Sequence, residues 1–85
     1  MKKLVSWTEF EDFDEETHGI LVVCGYALTP QEHQDALLEL AAERVGIVEI
    51  DNDSVRGTLE GDNDSVQKAI ANLSAKGWRW YEEER

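Results

Sequence analysis

Residues Ile20-Leu21-Val22-Val23-Cys24-Gly25-Tyr26-Ala27-Leu28 are apolar or β-favouring at odd and even positions alike. A strand of that kind has no face to turn to water, so it belongs inside a sheet covered on both sides. Thr29-Pro30-Gln31-Glu32 follows at once, with an N-cap, a proline at the first helical position and a glutamate three residues after the cap. This capping box starts a helix at Pro30. The helix is predicted to run to about Val45 and to stop at Gly46, which can take the left-handed conformation that closes a helix.

Ile47-Val48-Glu49-Ile50 and Val55-Arg56-Gly57-Thr58-Leu59 read as strands around the turn-rich Asp51-Asn52-Asp53-Ser54. A tight turn at Asn52-Asp53 sets Ile50 opposite Val55 and Glu49 opposite Arg56, both chemically sensible pairs. Val48, Ile50, Val55 and Leu59 then share one face. After Gly61, Asp62-Asn63-Asp64 offers N-caps for a second helix with Val66, Ala69, Ile70 and Leu73 on one stripe and Gly77 at its end. Trp78-Arg79-Trp80-Tyr81 is a last short strand. The order from residue 19 is β-α-β-β-α-β, an α+β, ferredoxin-like two-layer sandwich with its first and third strands central and both helices on one sheet face. Residues 1–18 precede it as an aromatic and acidic leader with Trp7, Phe10 and Phe13, read as a strand, a short helix or an arm. The apolar second face of the first strand needs a cover, either this leader packing on the open sheet face or a second subunit. The chain is thus one domain, 19–85, with a leader, 1–18.

Gly57-Thr58-Leu59-Glu60-Gly61-Asp62, followed by Val66, Ala69-Ile70, Leu73 and Lys76-Gly77-Trp78, resembles the C-terminal half of small ferredoxin-like regulatory domains. The NIL-type domain found beside methionine-transporter ATPases is the nearest in pattern, with ACT domains a looser second. The resemblance covers about the last third of the chain and implies a fold, self-association through sheets and, as one functional reading, a dimeric module that senses a small molecule. Acylphosphatases end in a similar pattern, but their first loop is glycine-rich and carries an arginine for phosphate. Gly25-Tyr26-Ala27-Leu28-Thr29-Pro30 has no basic residue, which removes the case for that activity.

The chain carries 19 Asp and Glu against 8 Lys and Arg, a formal net charge of −11. Such a field repels phosphate backbones and anionic lipids, so direct nucleic-acid or membrane binding is not expected. A domain this small buries about 60–65% of its unfolded surface, which leaves little room for an enclosed active site. The single cysteine rules out an internal disulfide framework and points to a reducing compartment. With no long apolar run and no signal-peptide pattern, the expected location is the cytoplasm.

Glu32, Asp35, Glu39 and Glu43 advance by three, four and four residues, which lines four carboxylates up one side of the first helix. Leu37, Leu38, Ala41 and Val45 are read as the opposite, core-facing side. A solvated face is the simplest account of such a row. Its lack of basic partners argues for more, since like charges at this spacing each cost a few tenths of a kcal/mol. A row of this kind suits a groove evolved for phosphates, with lysines supplied by the partner. Asp62 and Asp64 are expected at the same end of the sheet. Trp7, Trp78 and Trp80 are candidates for an aromatic interface, although core packing is the commoner fate of such rings.

Other constellations carry less. Asp-Asn-Asp-Ser-Val occurs at 51–55 and again at 62–66, but a calcium loop from Asp51 would need ligand and glycine positions that hold Val55 and Arg56. A turn and a helix cap explain the repeat. His18, His33 and Cys24 are too few for zinc, and Cys24 reads as a packed core thiol without cationic neighbours. No serine has a nucleophile context. The expectation is therefore a non-enzyme without metal or cofactor: an acidic inhibitor or decoy that blocks a basic, nucleic-acid-binding partner such as a nuclease. Phage anti-defence and immunity proteins are similar to it in size and charge. A homodimer is the second expectation.

Overall fold

A computed structural model of the chain describes residues 1–6 and 19–82. The elements are β1 (Lys2–Ser6), β2 (Gly19–Gly25), α1 (Pro30–Ala42), β3 (Gly46–Ile50), β4 (Val55–Gly61), α2 (Asn63–Ala75) and β5 (Arg79–Glu82). They form a two-layer α+β sandwich with one mixed, five-stranded sheet in the order β3-β4-β2-β1-β5. From β2 onward the element order is the expected β-α-β-β-α-β. The sheet order is not that of the plain ferredoxin-like arrangement, in which β5 would lie beside β2. Residues 2–6 enter between them, with β1 antiparallel to β2 and parallel to β5. The leader therefore divides: its first residues complete the plane of the sheet, while residues 7–18, Trp7 and His18 among them, lie outside the described residues.

The hairpin register follows the sequence pattern, with Ile50 paired to Val55 and Glu49 to Arg56. A register shift between Ile47 and Glu49 leaves Val48 without a pairing partner. This bulge puts Val48 out of step with Ile50, so the single hydrophobic face expected for Val48, Ile50, Val55 and Leu59 does not form. Val55 and Leu59 are buried, whereas Val48 and Ile50 are exposed.

The core lies between the helices and the covered face, built from Leu4, Val23, Val55 and Leu59 on the strands, Ala36 and Leu40 on α1, and Val66, Ala69 and Leu73 on α2. The α2 stripe is the one its spacing predicts. On α1 the stripe is rotated, since Ala36 and Leu40 are buried and Leu38 is exposed. Trp78 precedes β5 and is a core residue.

Both helices end alike. Arg44 donates to the Ala41 carbonyl and Val45 to that of Leu40; Gly77 donates to Ser74 and Trp78 to Leu73. These paired bonds are Schellman motifs, and each sends its next residue, Val45 or Trp78, into the core beside the carbonyl's own side chain. Gly77 supplies the left-handed conformation at φ 96°. At the end of α1 that conformation falls on Arg44, φ 59°, two residues before the glycine expected to take it. Gly46 instead begins β3.

Gly57 is fixed by space. A Cβ there would stand 2.6 Å from Val45 Cγ1 and 2.7 Å from the Gly46 carbonyl oxygen, so no side chain fits unless the α1–β3 connection moves. Two outcomes follow for urea unfolding. Gly57→Ala lowers stability by about 1–3 kcal/mol, and Arg44→Gly raises it by about 0.5–1 kcal/mol through relief of the left-handed strain.

Candidate binding surface

The four-carboxylate row runs the length of α1, and each member has an intramolecular partner. Glu32 closes the capping box, accepting from the Thr29 backbone N–H at 3.1 Å while its own N–H donates to Thr29 Oγ1. Asp35 accepts from Gln31 Nε2 at 3.0 Å. Glu43 accepts from Asn72 Nδ2 on α2 at 3.3 Å. Glu39 is the most engaged. Lys2 Nζ donates to both its oxygens, at 2.9 and 3.1 Å, and Trp78 Nε1 donates to one of them at 2.8 Å. The Lys2 and Glu39 side chains are only 16% and 19% exposed.

The row thus flanks the core instead of standing opposite it. Helical spacing accounts for this: Asp35 and Glu39 immediately precede the buried Ala36 and Leu40, so their side chains sit on the shoulder of the buried stripe. Glu39 binds β1 and the α2–β5 connection together and is not available as a docking residue. Its partner is not legible in the sequence, because Lys2 lies in a segment whose strand register the sequence does not specify.

Asp62 and Asp64 meet only one end of the row. β4 runs from the 51–54 turn to Gly61, so α2 begins where α1 ends, and Glu43, Asp62 and Glu60 line a shared cavity of ≈ 450 Å³ with Arg44, Lys68 and Asn72. Glu32 is at the far end, roughly 16 Å away along the helix axis by its rise per residue, near the turn that holds Asp51 and Asp53: Leu28 N donates to the Asp53 carbonyl. Carboxylates are therefore gathered at two ends.

Asp62 caps α2 by accepting from Ser65 N at 2.7 Å. That backbone bond, helped by the Ser65 side chain, holds its carboxyl below the ordinary aspartate range. The backbone N–H of Thr29, helped by the Thr29 side chain, does the same for Glu32. Both groups stay ionised and fixed in direction, and both are aligned with the positive end of a helix dipole.

Of the aromatic candidates, Trp78 is 2% exposed and belongs to the core. Trp80 is partly exposed. Tyr81 lies on the open sheet face with the Lys3 ammonium 4.8 Å from its ring centre. Cys24 is also on that face and half-buried, and its strand neighbours are Lys3 and Arg56, so the expectation of a core thiol without cationic neighbours is corrected. His33 Nε2 is within hydrogen-bond reach of the Ser54 carbonyl, at 3.3 Å. Among the described residues no three His, Cys, Asp or Glu side chains converge as metal ligands, and no helix is long and apolar enough to cross a membrane.

No family model, curated protein or solved structure matches the chain.

Removing the Glu39 carboxylate leaves a half-buried ammonium and an indole N–H without their acceptor. Glu39→Ala is expected to cost about 2–4 kcal/mol in urea unfolding, with Glu39→Gln intermediate. The caps set a pH dependence of known sign. A carboxylate whose folded pKa is depressed adds stability that is present above its unfolded pKa and lost as pH falls through the folded value. Melting temperature should therefore decline on acidification through the carboxylate range, and the decline should be shallower in a Glu32→Gln, Asp62→Asn double variant, with the asparagine keeping the cap.

Proposed function

We propose that this protein is a non-enzymatic, acidic protein-binding inhibitor that occupies a basic, nucleic-acid-binding partner in the cytoplasm, and that its scaffold is a ferredoxin-like sandwich with β1 inserted into the sheet. The observation that carries this reading is the presence of ionised carboxylates held in fixed directions at both ends of the sandwich. Glu32 and Asp62 are oriented by backbone N–H groups, and Asp51, Asp53, Glu60 and Asp64 are exposed around them. A fixed negative pattern imitates phosphates at a lower ordering cost than mobile side chains would. Residues 7–18 hold six acids and no lysine or arginine, so they contribute −6 of the net −11, and the leader adds attraction for the same kind of partner.

Glu39 is left out of the contact set, which becomes Glu32, Asp35, Glu43, Asp62 and Asp64. The reading is tested by a pull-down with the intact chain at low and high salt beside an Asp35→Lys, Glu43→Lys, Asp64→Lys variant. None of these three replaces the Glu39 link or a capping side chain; Glu43 is the C-cap residue of α1 but caps through its backbone N–H. A partner that binds at low salt should be lost at high salt and should bind the variant at least tenfold more weakly, with the melting temperature nearly unchanged. Undiminished capture by the variant would refute the reading.

A second reading, the dimeric small-molecule sensor implied by the NIL and ACT resemblance, is favoured by one feature. The ≈ 450 Å³ cavity between the helices presents Arg44 and Lys68 beside Glu43, Glu60 and Asp62, a size and polarity suited to a small ligand that carries both charges. A metabolite that raises the melting temperature of the wild type but not of Lys68→Ala would establish it.

A further inference from the structure

β3 is an edge strand whose five residues are all exposed. Among the described residues it pairs only with β4, so the backbone N–H and C=O groups on its outer side form an open ladder. Its side chains are the kind that edge strands usually avoid. Val48 is 66% and Ile50 57% exposed, and Ile47 is exposed beside them. The opposite edge, β5, has four residues, two of them charged, and short, charged strands are ordinary edge protection.

The two sides of β3 differ in chemistry. Ile47 and Ile50 pair with Gly57 and Val55, residues of the helix-covered face, whereas Glu49 pairs with Arg56 on the open face. Asp51 and Asp53 stand exposed at one end of the strand. An added strand would therefore meet the apolar Ile47 and Ile50 on one face, Glu49 on the other and the carboxylates of Asp51 and Asp53 at one end.

We propose that β3 is a docking edge for an extended segment of a basic partner protein, in which apolar and basic residues alternate. The segment continues the sheet by main-chain hydrogen bonds, with its β-branched side chains against Ile47 and Ile50 and its lysines or arginines towards Glu49, Asp51 and Asp53. Charge complementarity selects this occupant over a second copy of the chain, since pairing two β3 edges would bring together two molecules of net charge −11. This inference rests on the acidic-module reading and assigns it a specific edge.

The test uses the intact chain and a short peptide alternating lysine with valine, set against the same peptide with glutamate for lysine. The expected result is slowed amide hydrogen exchange within Gly46–Ile50 on addition of the lysine peptide. Affinity should fall as salt is raised, fall at least tenfold in a Val48→Lys, Ile50→Lys variant, and be absent for the glutamate peptide. The variant's melting temperature, nearly unchanged at these exposed positions, shows that it folds. Equal binding of the two peptides, or a concentration-dependent dimer that already protects β3 without peptide, overturns the proposal. Salt-sensitive binding of the lysine peptide that leaves Gly46–Ile50 unprotected overturns the edge assignment while the acidic-module reading stands. That reading fails separately, on the Asp35, Glu43 and Asp64 variant.

Discussion

A single carboxylate, that of Glu39, joins three segments far apart in the chain. It accepts from Lys2 at the start of β1 and from the Trp78 indole at the entry to β5, and it is carried by α1. The arrangement holds because each participant covers another. The Lys2 ammonium is within 6.0 Å of the Trp78 ring centre and also donates to the Lys76 carbonyl, and Trp78 is itself positioned by the Schellman bond that ends α2. Charge-assisted bonds of this kind gain strength as solvent is excluded. The inserted strand is thereby tied to the helical layer as well as to its neighbours in the sheet.

Local structure is written plainly in the sequence. Thr29 and Glu32 announce the start of α1, Asp62 that of α2, and Gly77 its end, because capping and turn chemistry depend on residues only a few positions apart. The hairpin register is legible for the same reason, through the opposed pairs Ile50 with Val55 and Glu49 with Arg56. What the sequence conceals is non-local. Nothing within Lys2–Ser6 says that it will separate β2 from β5, since a short alternating strand fits several edges equally well. The buried side of α1 is misjudged because Leu37 and Leu38 look more apolar than Ala36, yet Ala36 and Leu40 are what the sheet accommodates. The left-handed residue after α1 is misplaced because a Schellman motif needs its apolar residue at Val45, one position past the turn, and that places the strained conformation on Arg44 whatever its propensity.

The same distinction bears on the candidate surface. Carboxylates at helical spacing are visible as a row, but a row says nothing of what lies beside it. Glu39 belongs to the fold; Glu32 and Asp62 are shared between the fold and the surface, since the backbone bonds that cap the helices also fix the direction of their charge. The net charge sharpens in the same way. With −6 in residues 7–18 and −1 in residues 83–85, the described residues account for −4, so the sandwich itself is only moderately acidic and owes its negative character to where the acids stand.

The parallel pairing of β1 with β5 sets Lys3 beside Arg79 and Ser6 beside Glu82, and so closes a loop that encompasses almost the whole chain. Every other pairing in the sheet spans far less sequence. Loop closure over such a distance carries the largest entropic cost in the molecule, and a contact of that range contributes to slow folding. The β2-β4-β3 portion can assemble from local pairings, whereas β5 has no strand to join until β1 is in place. The seam between the two ends of the chain thus closes the longest loop in the sheet, and the Glu39 link, which bonds Lys2 on one side and Trp78 on the other, ties it to the helical layer.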